Sequence, residues 1–353
     1  MDILSDIGGQ RQELADIDRE IVKLIGHRNK IARVIGEQKA VLDEEVVVPD
    51  VEKVVVDRYV DAGKIFGVSA ATTARIARLV IDESVDVQGR VPRHAVPRKI
   101  FIIGGNGSMG RWLSAFFAGR GHSVTIDDHD SAGAGYPVKD LASGCREADV
   151  IVVSTPIPVS EKILEDVISQ KTDALIFDIL SVKTPVIPVL RKAAECSRIC
   201  SVHPMFGPGA TSIAGRNIVI CDCGNKDAVE EAAKLFSGGT ILRMNVEDHD
   251  PLVAYVLGLS HAANLAFSEA LVKSGFSSEE LCSAASTTFR KQIAVSREVS
   301  EENAELYYAI QRENPCNEAA VQNLSDALLE LRILGKKEFV ERMHAGAAWY
   351  QKK

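Results

Sequence analysis

The chain has 353 residues, 46% of them hydrophobic, and this length predicts two or three domains with substantial cores. The formal net charge of −8 argues against a general nucleic-acid surface, although a local cluster of Arg and Lys can still attract an anionic small molecule. The sequence has no apolar run near the roughly 20 residues that span a bilayer and no secretory-signal pattern at its N-terminus, so we expect a cytoplasmic protein without membrane contacts.

The first predicted domain, residues 1–88, is all-α, because its apolar residues recur at intervals of three and four. Gly63 and Gly67 are expected to break the second helix, and Ser69 is a candidate N-cap for the third. The predicted helices are about 5–41, roughly 50–62 and from Ser69 to about 88. Residues 89–98, GRVPRHAVPR, contain two prolines and show no period, so they are interpreted as a linker.

Residues 99–245 are predicted to form an α/β domain, because short β-branched runs alternate with helix-like segments. This alternation is typical of βα units around a parallel sheet. The predicted strands are 99–103, 123–126, 149–154, 174–179, 198–202 and 217–221. Residues 246–353 are predicted to be helical throughout. Seven cysteines without a CxxC pair indicate reduced thiols, with neither disulfides nor a metal site.

A glycine-rich loop follows the first predicted strand and precedes a helix. Its GxGxxG spacing suits a tight turn, close approach to a pyrophosphate and packing of helix on strand. The candidate dinucleotide-binding residues are Gly105, Gly107, Ser108, Met109, Gly110 and Arg111. Asp127, at the end of the next strand, is placed to bind the adenosine ribose and to favour NAD over NADP. Arg111 leaves the choice open, because it can serve a phosphate of either cofactor, and a glycine-rich turn without a ligand is the simpler alternative.

His203 lies in SVHPMFGPG, just after the predicted strand 198–202. Ligands of open α/β sheets bind beyond the carboxyl ends of the strands, so His203 is expected near the nicotinamide. A neutral imidazole there can take a proton from a substrate hydroxyl as hydride leaves. A structural histidine is the alternative.

Four motifs give this chain a family resemblance. GGNGSMGR, VVSTPIPV, DILSVK and SVHPMFGPG resemble prephenate dehydrogenase over about residues 99–350. Residues 1–88 resemble the all-helical chorismate mutase family. Their order is similar to that of the bifunctional chorismate mutase–prephenate dehydrogenases of tyrosine biosynthesis. The resemblance implies an all-α mutase domain, an α/β Rossmann-like NAD-binding domain and an all-α dimerisation domain, with chorismate and prephenate as substrates, a homodimer, and tyrosine to be tested as a feedback inhibitor.

For the dehydrogenase, the resemblance implies that His203 takes the proton of the prephenate ring hydroxyl and that Ser154 orients this imidazole. It implies that Arg290 binds a substrate carboxylate, which suits a bidentate guanidinium. Lys183 and His261 match further substrate-binding positions.

For the mutase, the resemblance implies carboxylate binding by Arg11 and Arg28 and contacts to the ether oxygen by Lys39 and Gln88. Glu52 and Ser84 match further active-site positions. At about 100° per residue, Arg28 and Lys39 share a helix face, whereas Arg11 is turned about 100° away, which suits a second chain's site.

Two positions depart from the mutase pattern. Val51 stands where an arginine is usual, and Val48 stands where an acidic residue is common. The missing cation weakens the case for mutase turnover. Each of the charged residues, taken singly, is also compatible with a solvated helix face. The alternatives are therefore a dehydrogenase whose N-terminal helices only dimerise or sense a ligand, an arogenate-preferring dehydrogenase, and a non-catalytic NAD-sensing protein.

Overall fold

The structure, a computed structural model, describes residues 3–42, 44, 46–91, 96–130, 133 and 135–351. Residues 92–95 of the predicted linker lie outside the described residues. The chain divides into two compact units. The first contains Met1–Thr155, Lys162–Ile179 and Leu190–Arg243, and the second contains Pro156–Glu161, Leu180–Val189 and Met244–Lys353. The three predicted domain bounds remain a prediction.

Three helices open the first unit: α1 (Ile3–Leu42), α2 (Pro49–Phe66) and α3 (Ala70–Gly89), and α3 packs against both of the others. Ser69 is the N-cap of α3, as predicted, and its hydroxyl accepts a hydrogen bond from the Thr72 backbone N–H at 3.2 Å. The predicted break at Gly63 was wrong, whereas the one at Gly67 is confirmed. A Cβ at Gly63 would lie 2.6 Å from Thr73 Cγ2, so this glycine permits close helix packing, and α2 ends at Gly67 with φ of 70°.

A seven-stranded sheet follows, with the order β2-β1-β3-β4-β5-β6-β7. Its strands are β1 (Lys99–Ile103), β2 (Ser123–Asp127), β3 (Val150–Val153), β4 (Leu175–Asp178), β5 (Ile199–Pro204), β6 (Asn217–Asp222) and β7 (Thr240–Asn245). Pairing is parallel from β2 to β5, as expected of βα units, but β6 runs antiparallel to β5, which the sequence did not indicate. The edge strand β7 was not predicted.

Helices connect most of these strands: α4 (Ser108–Gly119), α5 (Leu141–Glu147), α6 (Ile157–Ser169), α7 (Ile187–Ala194) and α8 (Lys226–Leu235). Buried aliphatic side chains of the central strands pack against Leu113 and Phe117 of α4 and against the apolar face of α8. This core fixes the carboxyl edge of the sheet, where the strands meet the loops that carry the predicted site residues.

The C-terminal part is helical, as predicted. Its elements are α9 (Val246–Val253), a π-helical turn (Ala254–Leu259), α10 (Ser260–Lys273), α11 (Ser278–Ser283), α12 (Thr287–Glu301), α13 (Ala304–Glu313), α14 (Asn317–Leu331) and α15 (Lys336–Gln351). Among the described residues one helix, Val246–Lys273, is long and apolar enough to cross a membrane, with a mean hydropathy of 1.2. This is weak evidence of a membrane span, because core helices of soluble proteins meet the same criterion.

Candidate active sites

The glycine loop lies between β1 and the N-terminus of α4. A Cβ at Gly105 would lie 2.5 Å from Ile126, and one at Gly110 would lie 2.0 Å from the Gly104 carbonyl oxygen. Gly104 itself has φ of +81°, a conformation that favours glycine. These contacts pack the loop closely against Ile126 and against the first turn of α4, whose N-terminus presents backbone N–H groups and a helix dipole that favour an anion such as a pyrophosphate.

The remaining loop residues of the prediction lie in the first turn of α4. Ser108 and Met109 follow the N-cap Gly107, and the exposed Arg111 bonds through its backbone N–H to the Gly107 carbonyl at 2.9 Å. The dinucleotide site that the sequence predicts thus has a backbone that fits the group.

Two acidic residues end the neighbouring strand β2. The Asp127 carbonyl accepts hydrogen bonds from the backbone of Gly104 and Gly105 at 2.8 and 3.3 Å. Burial and the nearby Asp128 carboxylate raise the pKa of Asp127. Asp128 Oδ2 accepts a hydrogen bond from the Asn106 backbone at 2.8 Å. The Asp128 carboxylate thus holds the glycine loop, and the Asp127 carboxylate lies beside it.

The strand register aligns the predicted dehydrogenase residues along the carboxyl edge. Val153 of β3 and Ser201 of β5 are level across β4. Ser154 is therefore one residue beyond this level and His203 is two residues beyond it. A Cβ at Gly104 would lie 2.3 Å from the Ser154 carbonyl oxygen, which places β3 against the glycine loop where the strand order reverses.

His203 lies within β5, whereas the prediction placed it after the strand. The strand extends to Pro204 because it pairs with β6. His203 is 4% exposed, so its imidazole is largely removed from water.

A polar cluster joins α1 and α3. Arg28 donates hydrogen bonds to the Ser84 hydroxyl and to the Val80 carbonyl. Gln88 Nε2 donates to the Ser84 carbonyl at 3.2 Å, while Gln88 Oε1 is buried and accepts no hydrogen bond from the described residues. A Cβ at Gly36 would lie 3.0 Å from Gln88 Cα, so this glycine lets the two helices approach closely. A cation and an incompletely paired amide therefore lie side by side.

The other predicted mutase residues are more scattered. Lys39 Nζ donates to the Val46 carbonyl at 3.0 Å. Glu52 is half-buried in the first turn of α2. Arg11 is exposed and precedes Arg28 by 17 residues on one continuous helix. This spacing is about 25 Å along the axis, too far for Arg11 to join the Arg28 cluster within one chain.

Lys183 belongs to the second unit, where a buried carboxylate holds its loop. Asp250 of α9, 2% exposed, accepts hydrogen bonds from the Lys183 backbone N–H at 2.9 and 3.1 Å. It also accepts from the Thr184 backbone and hydroxyl at 2.7 and 2.6 Å. The Lys183 side chain is fully buried.

Burial alone would raise the pKa of Asp250, but the hydrogen bonds from His249, Thr184 and Lys183 outweigh it and hold this pKa below its ordinary value. His249 Nδ1 lies 2.7 Å from the ionised Asp250 carboxylate and therefore donates to it. Asp250 thus orders the start of the Lys183 loop.

His261 and Arg290 lie on two helices that pack together, α10 and α12. The His261 ring stacks on Tyr307 with centroids 4.0 Å apart, and burial lowers the pKa of His261. Arg290 is exposed in the first turn of α12, and its Nη2 donates to the Cys282 carbonyl at 3.4 Å. Since a guanidinium and a helix N-terminus are both positive, the start of α12 suits a carboxylate.

Three family models match successive parts of the chain. The model of chorismate mutase type II matches residues 10–89. The models of the prephenate dehydrogenase nucleotide-binding domain and dimerization domain match residues 119–240 and 245–345. The T-protein of Enterobacter agglomerans is 23% identical over 99% of this chain and 94% of its own length. The T-protein of Haemophilus influenzae is 25% identical over 99% and 93%.

The chain belongs to the bifunctional chorismate mutase–prephenate dehydrogenase family. It is therefore an enzyme with a mutase segment and an NAD-dependent dehydrogenase segment, as the sequence predicted. A solved prephenate dehydrogenase from Aquifex aeolicus, in complex with hydroxyphenyl propionate and NAD+, has the same fold as the dehydrogenase segment. Its TM-score is 0.61 at 17% identity, over 73% of this chain and 99% of that one.

The mutase departure from the family pattern lies on the surface of α2. Val51 is 59% exposed, and Val48 is the N-cap of the helix without a side-chain cap. Val51 is not part of a buried core in the described residues. An arginine at this position would therefore change the charge near the mutase segment rather than the packing of its helices.

Two residues of the dehydrogenase segment were missed by sequence reasoning. Gly104 precedes the GxGxxG pattern, and the GG pair was its available signal. Asp250 sits in EDHDP, a local pattern typical of a helix start, and its partners are 66 and 67 positions away. Within the described ranges no group of three or more His, Cys, Asp or Glu could hold a metal ion.

Proposed function

We propose that this enzyme converts chorismate to prephenate in the α1–α3 helices and then oxidises prephenate at the carboxyl edge of the sheet. The observation that carries the proposal is the alignment of the glycine loop, Ser154 and the buried His203 along one edge. The products are 4-hydroxyphenylpyruvate and carbon dioxide, as in tyrosine biosynthesis.

In the dehydrogenase step, His203 accepts the proton of the ring hydroxyl while the C–H bond of the same carbon gives up hydride. When bound, NAD supplies the hydride acceptor. The ring carboxylate leaves as carbon dioxide, and its electron pair completes the aromatic ring. The resulting phenolate takes one proton back, so no proton is released overall. A positioned base of this kind contributes about 10²–10⁴ in rate.

Ser154 is proposed to orient the His203 imidazole, and its place beside the glycine loop supports this role. In the second unit, Arg290 and Lys183 are proposed to bind the substrate carboxylates and His261 to donate a hydrogen bond. The lowered pKa of His261 supports a neutral ring at pH 7. Asp127 is proposed to bind the adenosine ribose and to repel a 2′-phosphate, which favours NAD.

The mutase step breaks the ether C–O bond and forms a C–C bond within one molecule, so it needs no acid or base. Its site must hold a dianion in a compact conformer and stabilise the charge that develops at the ether oxygen. Arg28 is proposed to bind a carboxylate, and Lys39 and Gln88 to face the ether oxygen. Gln88 Nε2 donates one hydrogen bond to the Ser84 carbonyl, and the second N–H of this amide supports the proposed contact to the ether oxygen. Ser84 and Glu52 are proposed as further ligands.

A homodimer is proposed because apolar side chains of two helices are left uncovered in one chain. Exposed positions on α1 include Leu14, Ile17, Ile21, Leu24, Ile31 and Val34. Tyr255, Val256 and Val272 of the helix Val246–Lys273 are also exposed. A second copy would cover both surfaces and would bring its Arg11 to the partner's mutase site. Sedimentation of the purified enzyme tests the dimer, and a monomer at micromolar concentration would contradict it.

We also propose a cytoplasmic location, which the seven free thiols support. Fractionation of cells tests it.

The decisive experiment is a paired assay that follows NADH, first with prephenate and then with chorismate. The bifunctional proposal predicts NADH from both substrates. The second candidate, a dehydrogenase whose mutase segment is inactive, is favoured by Val51 and predicts NADH from prephenate alone. An arm with arogenate tests substrate preference, and an arm with tyrosine tests feedback inhibition. NADH from neither prephenate nor arogenate would refute the dehydrogenase assignment.

A further inference from the structure

Helix α3 has two distinct faces. Ser84 and Gln88 are four residues apart and share the face that meets Arg28. Asp86 is two residues from each of them, about 200° around the helix, and therefore lies on the opposite face. This second face has no part in the proposed mutase chemistry.

The loop that follows β5 binds the Asp86 carboxylate. Thr211 Oγ1 donates to Asp86 Oδ2 at 2.6 Å, and Ser212 Oγ donates to Oδ1 at 2.8 Å. Arg216 Nη2 adds a cation 4.0 Å from Oδ1. Ser212 is 5% exposed, and its hydroxyl also accepts from the Ala214 backbone at 3.2 Å, which fixes its orientation.

One turn further along α3, Gly89 packs against the same loop. A Cβ at Gly89 would lie 2.6 Å from Ala214 Cβ and 2.9 Å from Ser212 Oγ. Any larger residue would push the helix and the loop apart. The contact therefore combines charge pairing with a close steric fit.

This loop, residues 205–216, is the direct continuation of the strand that carries His203. On its other side, Trp112 Nε1 donates to the Ala210 carbonyl at 2.6 Å, and the Trp112 ring lies 5.0 Å from that of Phe206. Trp112 belongs to α4, whose first turn forms part of the glycine loop. The loop is thus held by the dinucleotide-binding helix on one side and by α3 on the other.

We propose that Asp86, a residue of the mutase segment, is a positioning residue for the dehydrogenase reaction. It anchors loop 205–216 and thereby holds the end of β5 that carries His203. The inference rests on the proposed dehydrogenase function. It predicts that oxidation of prephenate depends on a side chain from α3, although Asp86 faces away from the mutase cluster.

The test compares Asp86→Ala with Asp86→Asn in the full-length enzyme. Asp86→Ala is expected to lower the dehydrogenase kcat/KM for prephenate about tenfold, since charged hydrogen bonds are lost. The mutase rate from chorismate should stay within about twofold, because the Arg28 face is untouched. Asp86→Asn should restore most of the loss, because hydroxyls can donate to the amide oxygen and accept from its nitrogen. Asp82→Asn, at an exposed acid on the same helix, is the matched control and should leave both rates unchanged.

Ser212→Ala supplies an independent arm. Ser212→Ala should also lower the dehydrogenase kcat/KM for prephenate. It should cause little further loss in the Asp86→Ala background, because both substitutions remove the same contact. Wild-type dehydrogenase kinetics in a folded Asp86→Ala enzyme would overturn the proposal. Parallel loss of both activities with a lower melting temperature would also overturn it, since that result marks a purely structural contact. A wild-type enzyme that makes no NADH from prephenate would instead refute the proposed function.

Discussion

Substitution of Gly110 by Ala offers a sharp test of the dinucleotide site. The new Cβ would lie 2.0 Å from the Gly104 carbonyl oxygen and 2.9 Å from Gly105 Cα. Ordinary contact begins at 3.4 Å, so the start of α4 and the glycine loop must part by about 1.4 Å (3.4 less 2.0). The opposing atoms are backbone and cannot rotate away. A displacement of about 1 Å at a reacting site can cost about 10² in rate, and we expect a comparable loss of kcat/KM for NAD.

The assay measures NAD binding by calorimetry and NADH formation from prephenate, with chorismate consumption as the test of an intact fold. Gly119→Ala is the matched control, because Gly119 ends the same helix and a Cβ there would meet nothing within 4 Å. We expect Gly110→Ala to lose NAD affinity and prephenate oxidation and to keep its mutase activity. Wild-type NAD affinity in Gly110→Ala would refute the placement of the pyrophosphate at this loop.

Three further predictions concern other parts of the enzyme. Arg28→Ala should reduce the mutase rate at least about 10²-fold by removing a carboxylate ligand, and NADH formation from prephenate should be unchanged; loss of both activities would indicate misfolding instead. Asp127→Ser should shift the ratio of kcat/KM for NADP over NAD upward about tenfold, because a charge that repels the 2′-phosphate is removed; an unchanged ratio contradicts the ribose assignment. The lowered pKa of Asp250 means that its carboxylate stabilises the fold above the ordinary carboxyl pKa of about 4, and that this contribution is lost as the pH falls through the lower folded-state value. Asp250→Asn should therefore lower the melting temperature at pH 7 and flatten its acid decline, measured by circular dichroism, and a decline as steep as that of the wild type would count against this linkage.

Strong local patterns made much of the fold predictable. The three-and-four apolar spacing and Ser69 identified the N-terminal helices, because helix periodicity and capping are local properties. The glycine loop was recognisable because its steric demand falls within one short segment: the Gly105 and Gly110 positions leave no room for a Cβ.

Features set by distant partners were not predictable. Gly63 resembled a helix stop, but its lack of a side chain instead lets Thr73 of the next helix pack closely against α2. Strand β7 lies at the edge of the sheet with largely exposed side chains, so it lacks a clear apolar alternation. The antiparallel direction of β6 extended β5 and drew His203 into the strand.

The site was predictable only in part for the same reason. His203 and Ser154 are predicted from motifs, whereas Asp250 and Asp86 bind loops that are far away in sequence. Their local contexts, a helix start and a helix surface, are those of ordinary solvated acids. Only the fold brings each carboxylate to the N–H or O–H groups that give it a role.

The role of His203 as proton acceptor is best tested by the rate of NADH formation from prephenate by His203→Asn, measured at saturating NAD. We expect a loss of about 10²–10⁴ in kcat, with NAD affinity and chorismate turnover close to those of the wild type. A variant that oxidises prephenate at the wild-type rate, with the wild-type pH profile, would contradict the claim that this buried imidazole takes the hydroxyl proton.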